Sequence, residues 1–246
     1  MYGARGRVGL ISLATDLTVQ PEIARMVPEG IAVYAAPITL PRGEVTPESL
    51  AEMTENDELE RAAEKLAWAE VDVILFACTS GSFIHGLGWD RELISRIEAV
   101  SHTPATTTST TVIAALRAVN ATSLTVVTPY LDSVNAVEKS YFEANGFSVK
   151  SMSGLGLEFD RDIARLSPSD AQAQLEATDT DEADTIFISC TDYHVLDAID
   201  EIERTHAKPV VTSNQAGAWG ALRKMGISDS ISGAGRLMTL PYPVLV

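Results

Sequence analysis

The chain of 246 residues carries 34 aspartates and glutamates against 18 lysines and arginines, a formal charge of −16, and 46% of it is hydrophobic. That balance suits a soluble globular protein and excludes nucleic acid or an anionic membrane as partner, since both require a basic face. No apolar run approaches the ~20 residues that cross a bilayer, while a small anion stays admissible wherever backbone N–H groups shield it.

In chain order, strands and helices alternate, the pattern of a parallel α/β sheet. Met1–Arg7 leads straight into a strand at Val8–Leu13 and has no signal-peptide character. A helix can start at Pro21–Met26, and Ile31–Ala35 reads as the second strand. Thr46 is placed to cap a helix beginning Pro47-Glu48-Ser49-Leu50, with Pro in the first turn. Leu59–Ala69 has helical periodicity, Val71–Ala77 is an apolar third strand, and Trp89–Val100 and Thr110–Val119 read as helices. The second half repeats this order. Strands are expected at Leu124–Val127, Phe147–Met152, Thr185–Ser189 and Pro209–Thr212. Helices are expected at Ser133–Asn145, from Ser167 through Ala177, at Tyr193–Thr205 and at Gln215–Met225. Trp68, Trp89 and Trp219 are expected to pack helices onto sheets.

The repeat is sharpest at the two cysteines. Val71–Phe76 runs into Ala77-Cys78-Thr79-Ser80, and Thr185–Ile188 runs into Ser189-Cys190-Thr191-Asp192. Further on, Pro104-Ala105-Thr106-Thr107 and Pro209-Val210-Val211-Thr212 each lead into a helix. The expected fold is therefore α/β with two pseudo-symmetric lobes, each a parallel sheet flanked by helices, and the active site between them. The lobes divide as 1–105 plus 216–246, and 106–215. Ligands of open α/β sheets bind at the carboxyl ends of strands, where both thiols stand. A helix N-terminus following each cysteine would lower its pKa. Free cysteines are more often small buried core residues, but two in equivalent positions favour function. With no export signal, the thiols are expected to be free in a cytoplasmic protein. No Cys-x-x-Cys or His-x-x-x-His pair and no glycine-rich nucleotide loop occurs, so neither metal nor cofactor is expected.

These motifs resemble the aspartate/glutamate racemase superfamily, and within it the branch of maleate cis-trans isomerases and arylmalonate decarboxylases. Arg7-Val8-Gly9-Leu10-Ile11, Ser82-Phe83-Ile84-His85-Gly86, Val127-Thr128-Pro129-Tyr130 and Leu196-Asp197-Ala198-Ile199 carry the resemblance alongside the cysteine loops. It implies that Cys190 is the cysteine shared by the branch. Cys78 then matches the one that racemases and maleate isomerases possess and the decarboxylases replace by glycine. Tyr130 would hydrogen-bond a substrate carboxylate or enediolate. Thr79, Ser80 and Thr191 would form the carboxylate cradle, with Thr15, Asp16 and Asp192 also lining the substrate.

Ala14-Thr15-Asp16-Leu17-Thr18 departs from the Ser-Asn-Thr context of maleate isomerases. An ionised Asp16 would repel a carboxylate, and would attract an ammonium group or act as a base toward Cys78. Its other reading is a helix-capping carboxylate. His194, just after Cys190, resembles a racemase histidine displaced by one residue, and also reads as a surface residue at a helix start.

The expected function is a cofactor-independent racemase or cis-trans isomerase of a small carboxylic acid or amino acid, using two facing cysteines. The alternatives are an arylmalonate-type decarboxylase and a non-catalytic small-acid binding protein on the same fold. Nothing in the composition bars a homo-oligomer.

Overall fold

The computed structural model describes residues 2–241. The elements run β1 (Gly6–Ile11), α1 (Val19–Met26), β2 (Ile31–Ala35), α2 (Pro47–Glu55), α3 (Glu58–Trp68), β3 (Val73–Phe76), α4 (Thr79–Phe83), α5 (Trp89–Ser101), β4 (Ala105–Thr107) and α6 (Thr108–Ala118). They continue with β5 (Ser123–Thr128), α7 (Asp132–Ala144), β6 (Ser148–Gly154), α8 (Asp160–Ile163), α9 (Pro168–Thr178), β7 (Thr185–Ile188), α10 (Ile199–His206), β8 (Val210–Thr212) and α11 (Ser213–Lys224).

Two four-stranded sheets result, ordered β2-β1-β3-β4 and β6-β5-β7-β8. Every pairing is parallel, with Val8 opposite both Val33 and Val73 in the first sheet and Leu124 opposite Thr185 in the second. The order is the same in both, which is the duplicated α/β architecture the sequence implies. β3 and β7 are buried along their whole length because helices cover both faces. Phe76 and Phe187 are wholly buried there, each worth about 1.5–3 kcal/mol of apolar transfer.

The sheets are joined through α6 and α11, which pack against each other. Gly220 permits the approach, since a Cβ there would overlap the Thr111 side chain. α11 also reaches back to α1 and β3 of the first sheet. The two cysteine-bearing strand ends are thereby tied to one pair of helices.

Several boundaries differ from the sequence reading. The first strand begins at Gly6 and ends at Ile11, and Leu13 survives only as an isolated bridge to Ile38. β4 is a strand of three residues, and α4 and α8 are single turns, all too short for periodicity to reveal. The helix expected at Tyr193–Thr205 starts at Ile199, after a 3-10 turn at Leu196–Ala198. Thr46 caps α2 through Ser49 N–H, and Ser167 forms a reciprocal capping box with Asp170. Trp219 is fully buried, whereas Trp68 is 90% exposed and packs onto no sheet, because it ends α3 on the face turned to solvent.

Candidate active site

Cys78 and Cys190 are free thiols, 2% and 7% exposed. Cys78 follows β3 and caps the single turn of α4, its sulfur accepting Gly81 N–H at 3.4 Å with Ser80 Oγ at 4.0 Å. A side chain at residue 81 would press within 2.6 Å of Met53 Cε, so glycine lets the turn close on the sulfur.

Cys190 follows β7 with φ +93°, a left-handed conformation that an L-residue holds only when its surroundings impose it. Those surroundings come from both halves of the chain. Cys190 N–H donates to Ser213 Oγ at 3.1 Å, and Ser213 Oγ also accepts the Thr79 hydroxyl at 2.8 Å. One hydroxyl at the start of α11 thus touches both cysteine loops. Asn214 Nδ2 donates to Thr191 O and to Glu22 Oε2, both at 2.8 Å. Glu22 Oε1, from α1, accepts Val195 N–H at 3.1 Å and Leu196 N–H at 3.0 Å. Asp192 Oδ1 accepts Leu17 N–H at 2.8 Å, and Thr18 Oγ1 donates to Asp192 O at 3.1 Å.

Because the 191–195 segment is not helical and the 3-10 turn after it opens with an unpaired N–H, outside acceptors are needed, and Glu22 supplies one to Val195 and Leu196. Glu22→Ala is expected to cost about 2–4 kcal/mol of stability by stranding buried donors. It should also lower kcat more than it raises KM, through a displaced Cys190. Glu22→Gln, which keeps Oε1 as acceptor for the two N–H groups but turns an NH2 toward the donor Asn214 Nδ2, should recover only part of both. Equal kinetics in the alanine variant would detach Glu22 from the thiol.

Tyr130 follows β5, is 1% exposed and lies against the Cys190 thiol. Asp160 starts α8 and accepts the Thr15 hydroxyl, joining the loop after β1 to the segment after β6. Asp16 caps the start of α1, its Oδ1 accepting the N–H groups of Thr18 at 2.9 Å and Val19 at 2.8 Å. It also contacts the Thr191 and Asp192 side chains and acts electrostatically on Cys78. Asp16 thus fills the capping role, and its carboxyl also lies within electrostatic reach of Cys78. His194 lies at the rim, bonded to Asp197 at 3.1 Å and 3.9 Å from Glu22. A cavity of ≈ 350 Å³ opens beside this rim, with Leu17, Glu22, Arg25 and Leu166 among its walls.

The electrostatics reverse one expectation. Burial pushes the Cys78 thiol up to about 12, aided by the charges of Asp160 and Asp16 and opposed by Gly81 N–H and Ser80. Cys190 is also raised well above the ordinary thiol range, by burial first and then by Asp160 and Asp192. The expected lowering by helix N-termini fails because α4 is one turn long and no helix begins directly after Cys190. Desolvation outweighs the donors that remain.

Burial likewise raises Asp160 to about 6 and Asp192 to about 9, the latter with help from Asp16 and Asp160. Asp16 is raised by burial against its two backbone donors. Adjacent carboxylates cannot both ionise cheaply, so Asp16 and Asp192 share a proton. Behind Cys190, Ser189 Oγ donates to Glu138 Oε1 at 2.6 Å, and burial lifts Glu138 to about 8.

Ser213, Asn214, Asp160, Glu22 and Glu138 are not singled out by the sequence reading. Ser213 and Asn214 could have been found from the Thr212–Gln215 helix start that mirrors Thr107–Thr110. Asp160, in an acidic stretch, carries no local signal.

The arylmalonate decarboxylase family model matches residues 8–238. The chain is 26% identical to a maleate isomerase of Pseudomonas putida over 249 residues, covering 96% of this chain and 98% of that protein. It is 29% identical to an arylmalonate decarboxylase of Bordetella bronchiseptica over 223 residues, covering 89% and 90%. The crystal structure of a Pseudomonas putida maleate isomerase variant with maleate superposes with a TM-score of 0.91 at 26% identity, covering 96% of this chain and 98% of that one.

Proposed function

The chain belongs to the arylmalonate decarboxylase family, and from that premise we propose that it is a cofactor-independent isomerase of a small carboxylic acid, worked by Cys78 and Cys190. The observation that carries this reading is the coupling of the two thiols within one buried site. Ser213 bonds Thr79 beside one and the backbone of the other, both feel Asp160, and both act on Tyr130. A site made for a single protonation event has no use for the second thiol.

Two chemistries use this pair. In cis-trans isomerisation one thiolate adds to a carbon of the double bond, and the π electrons move into the adjoining carboxylate as an enediolate. The remaining single bond rotates, and the C–S bond then breaks as the double bond re-forms. In racemisation one thiolate takes the proton from the carbon next to the carboxylate, and the other thiol returns a proton to the opposite face. Tyr130, Thr79, Ser80 and Thr191 would steady the carboxylate or enediolate in either case. The similarity to maleate isomerases favours the first chemistry.

A second reading is decarboxylation of a malonate-type acid, with Cys190 protonating the enediolate. It is favoured by the similarity to arylmalonate decarboxylase and by the raised Cys190, which keeps its proton until the enediolate forms. A panel of small acids incubated in deuterated water and followed by NMR separates these readings. Conversion of a cis to a trans double bond marks the first chemistry, and deuterium at Cα in both enantiomers marks racemisation. Loss of carbon dioxide marks decarboxylation. Silence across the panel with retained binding would remove catalysis altogether.

A further inference from the structure

A second cavity lies apart from the thiols, where α5, α6 and α7 meet. Its volume is ≈ 300 Å³, and Leu87, Ile113 and Tyr141 form part of its wall. Arg91 from α5 and Arg117 from α6 also line it. Both act electrostatically on the Tyr141 phenol, so two cations from different helices converge on one buried ring. Neither guanidinium has a carboxylate within ion-pair distance among the described residues. That stands out in a chain where acids outnumber lysines and arginines 34 to 18, and where Arg5, Arg25, Arg42, Arg61 and Arg96 all stand in ion pairs. An acid on the same wall, Asp90, is buried, and its Oδ2 accepts the Thr110 hydroxyl at 2.7 Å.

Two guanidinium groups against the Asp90 carboxylate leave one positive charge to be met. Guanidinium recognises a carboxylate through paired N–H groups. Leu87 and Ile113 offer apolar surface to the rest of such a molecule. We propose that this cavity is a second binding site, for a small monocarboxylate with an aliphatic or aromatic body, and that its occupant acts on the turn that holds Cys78. The site needs no reaction at the thiols and so stands apart from the isomerase reading.

The route to Cys78 is short. α4, which Cys78 caps, packs against α5, α6 and α7. Phe83, at the end of α4, is in ring contact with Tyr141, their centroids 6.1 Å apart. Ser82 Oγ and Ser109 Oγ bond at 2.7 Å and tie α4 to α6. Trp89, next to Asp90, donates its indole N–H to Gly81 O at 3.2 Å, and Gly81 N–H is the donor to the Cys78 sulfur. A ligand bridging Arg91 and Arg117 would hold α5 and α6 together around that turn and make the sulfur harder to reach.

Calorimetry on the intact protein with benzoate and hexanoate tests the site, with benzamide and hexanamide as uncharged counterparts. At least one acid is expected to bind about tenfold or more tightly than its amide, as charge-assisted hydrogen bonds allow. Arg91→Ala and Arg117→Ala should each weaken that acid about tenfold. Arg204→Ala removes an equal charge from α10 and should leave binding unchanged. All three arginines are exposed, so the fold is retained. In a Cys190→Ala background, alkylation of Cys78 by iodoacetamide, followed by mass spectrometry, should slow about fivefold or more when the acid is bound. Adding Arg91→Ala and Arg117→Ala together should abolish that protection.

Binding of neither acid overturns the site, as does binding that both arginine variants retain or that Arg204→Ala weakens equally. Protection of Cys78 that survives the paired arginine substitutions would place the acid at the thiols and overturn it too. Binding that depends on Arg91 and Arg117 but leaves Cys78 alkylation unchanged overturns the action on the turn.

Discussion

Replacing Cys190 with alanine is expected to lower turnover by about a thousandfold or more, the scale of losing a positioned acid, base or nucleophile. The thiol cannot be replaced by a neighbour. Tyr130 lies against it but is itself raised well above the usual phenol range by burial and by Cys190. The Asp192 carboxyl is engaged with Leu17 N–H and with Asp16.

Cys78→Ala should be equally damaging if both faces of the substrate are used, since each face then needs its own sulfur. The comparison with Cys78→Gly is decisive for the reaction type. A decarboxylase tolerates glycine there, whereas an isomerase loses its second group. Steady-state rates on the acid that responds in the deuterium panel give the measurement. Full isomerase activity in either alanine variant would remove the two-thiol mechanism. Both substitutions are small, buried and apolar, so thermal unfolding should move little.

The second large effect falls on stability and involves Glu138. Its carboxyl is wholly buried behind Cys190, with Oε1 accepting from Ser189 and Oε2 without a partner. Burial raises it to about 8 in the folded protein, while an unfolded chain ionises it near ~4.3. Between those values the folded state holds a proton that the unfolded state has released, so stability falls as pH rises. The contribution is fully present below the unfolded value and is lost by the time pH passes the folded one. Its size is on the order of a few kcal/mol.

Glu138→Gln keeps an acceptor for Ser189 and cannot ionise, so its unfolding free energy should decline much less between about pH 5 and about pH 8.5. Asp160, Asp192, Asp16 and Glu22 are raised too and leave a residual slope of the same sign. Carboxyls held low by surface partners, such as Asp197 at about 2 beside Arg25, are ionised in both states over this range and add nothing to the slope. Denaturant titrations across the range check the difference, and parallel curves for the two proteins would mean that Glu138 is already ionised when folded.

Much of the architecture is legible in the chain because it is written in local patterns. Val73–Phe76 and Thr185–Ile188 are apolar through both faces, so each must be a strand covered on two sides. The matched Cys-Thr dipeptides at their ends place two thiols at equivalent positions in a duplicated fold. The capping of α2 by Thr46 follows from one turn of sequence. What has no local period is not legible. The single turns of α4 and α8 and the irregular 191–195 segment are set by what packs against them, and the helix expected from Tyr193 begins six residues later.

The amino-acid sequence by itself determined two repeated lobes, each a parallel sheet, the matched thiols and the acidic departure at Asp16. Only the tertiary structure decided the character of the site. Glu22 meets the loop after Cys190 across more than 170 residues of chain, and Thr15 meets Asp160 across 145. No spacing rule encodes such contacts. The direction of the thiol shifts was likewise a tertiary matter. A cysteine at a helix start is activated in the sequence view, but the energy of a buried charge depends on everything that excludes water from it and on every charge beside it. Here the burial of both sulfurs sets the sign, and carboxyls gathered from separate segments of the chain add to it.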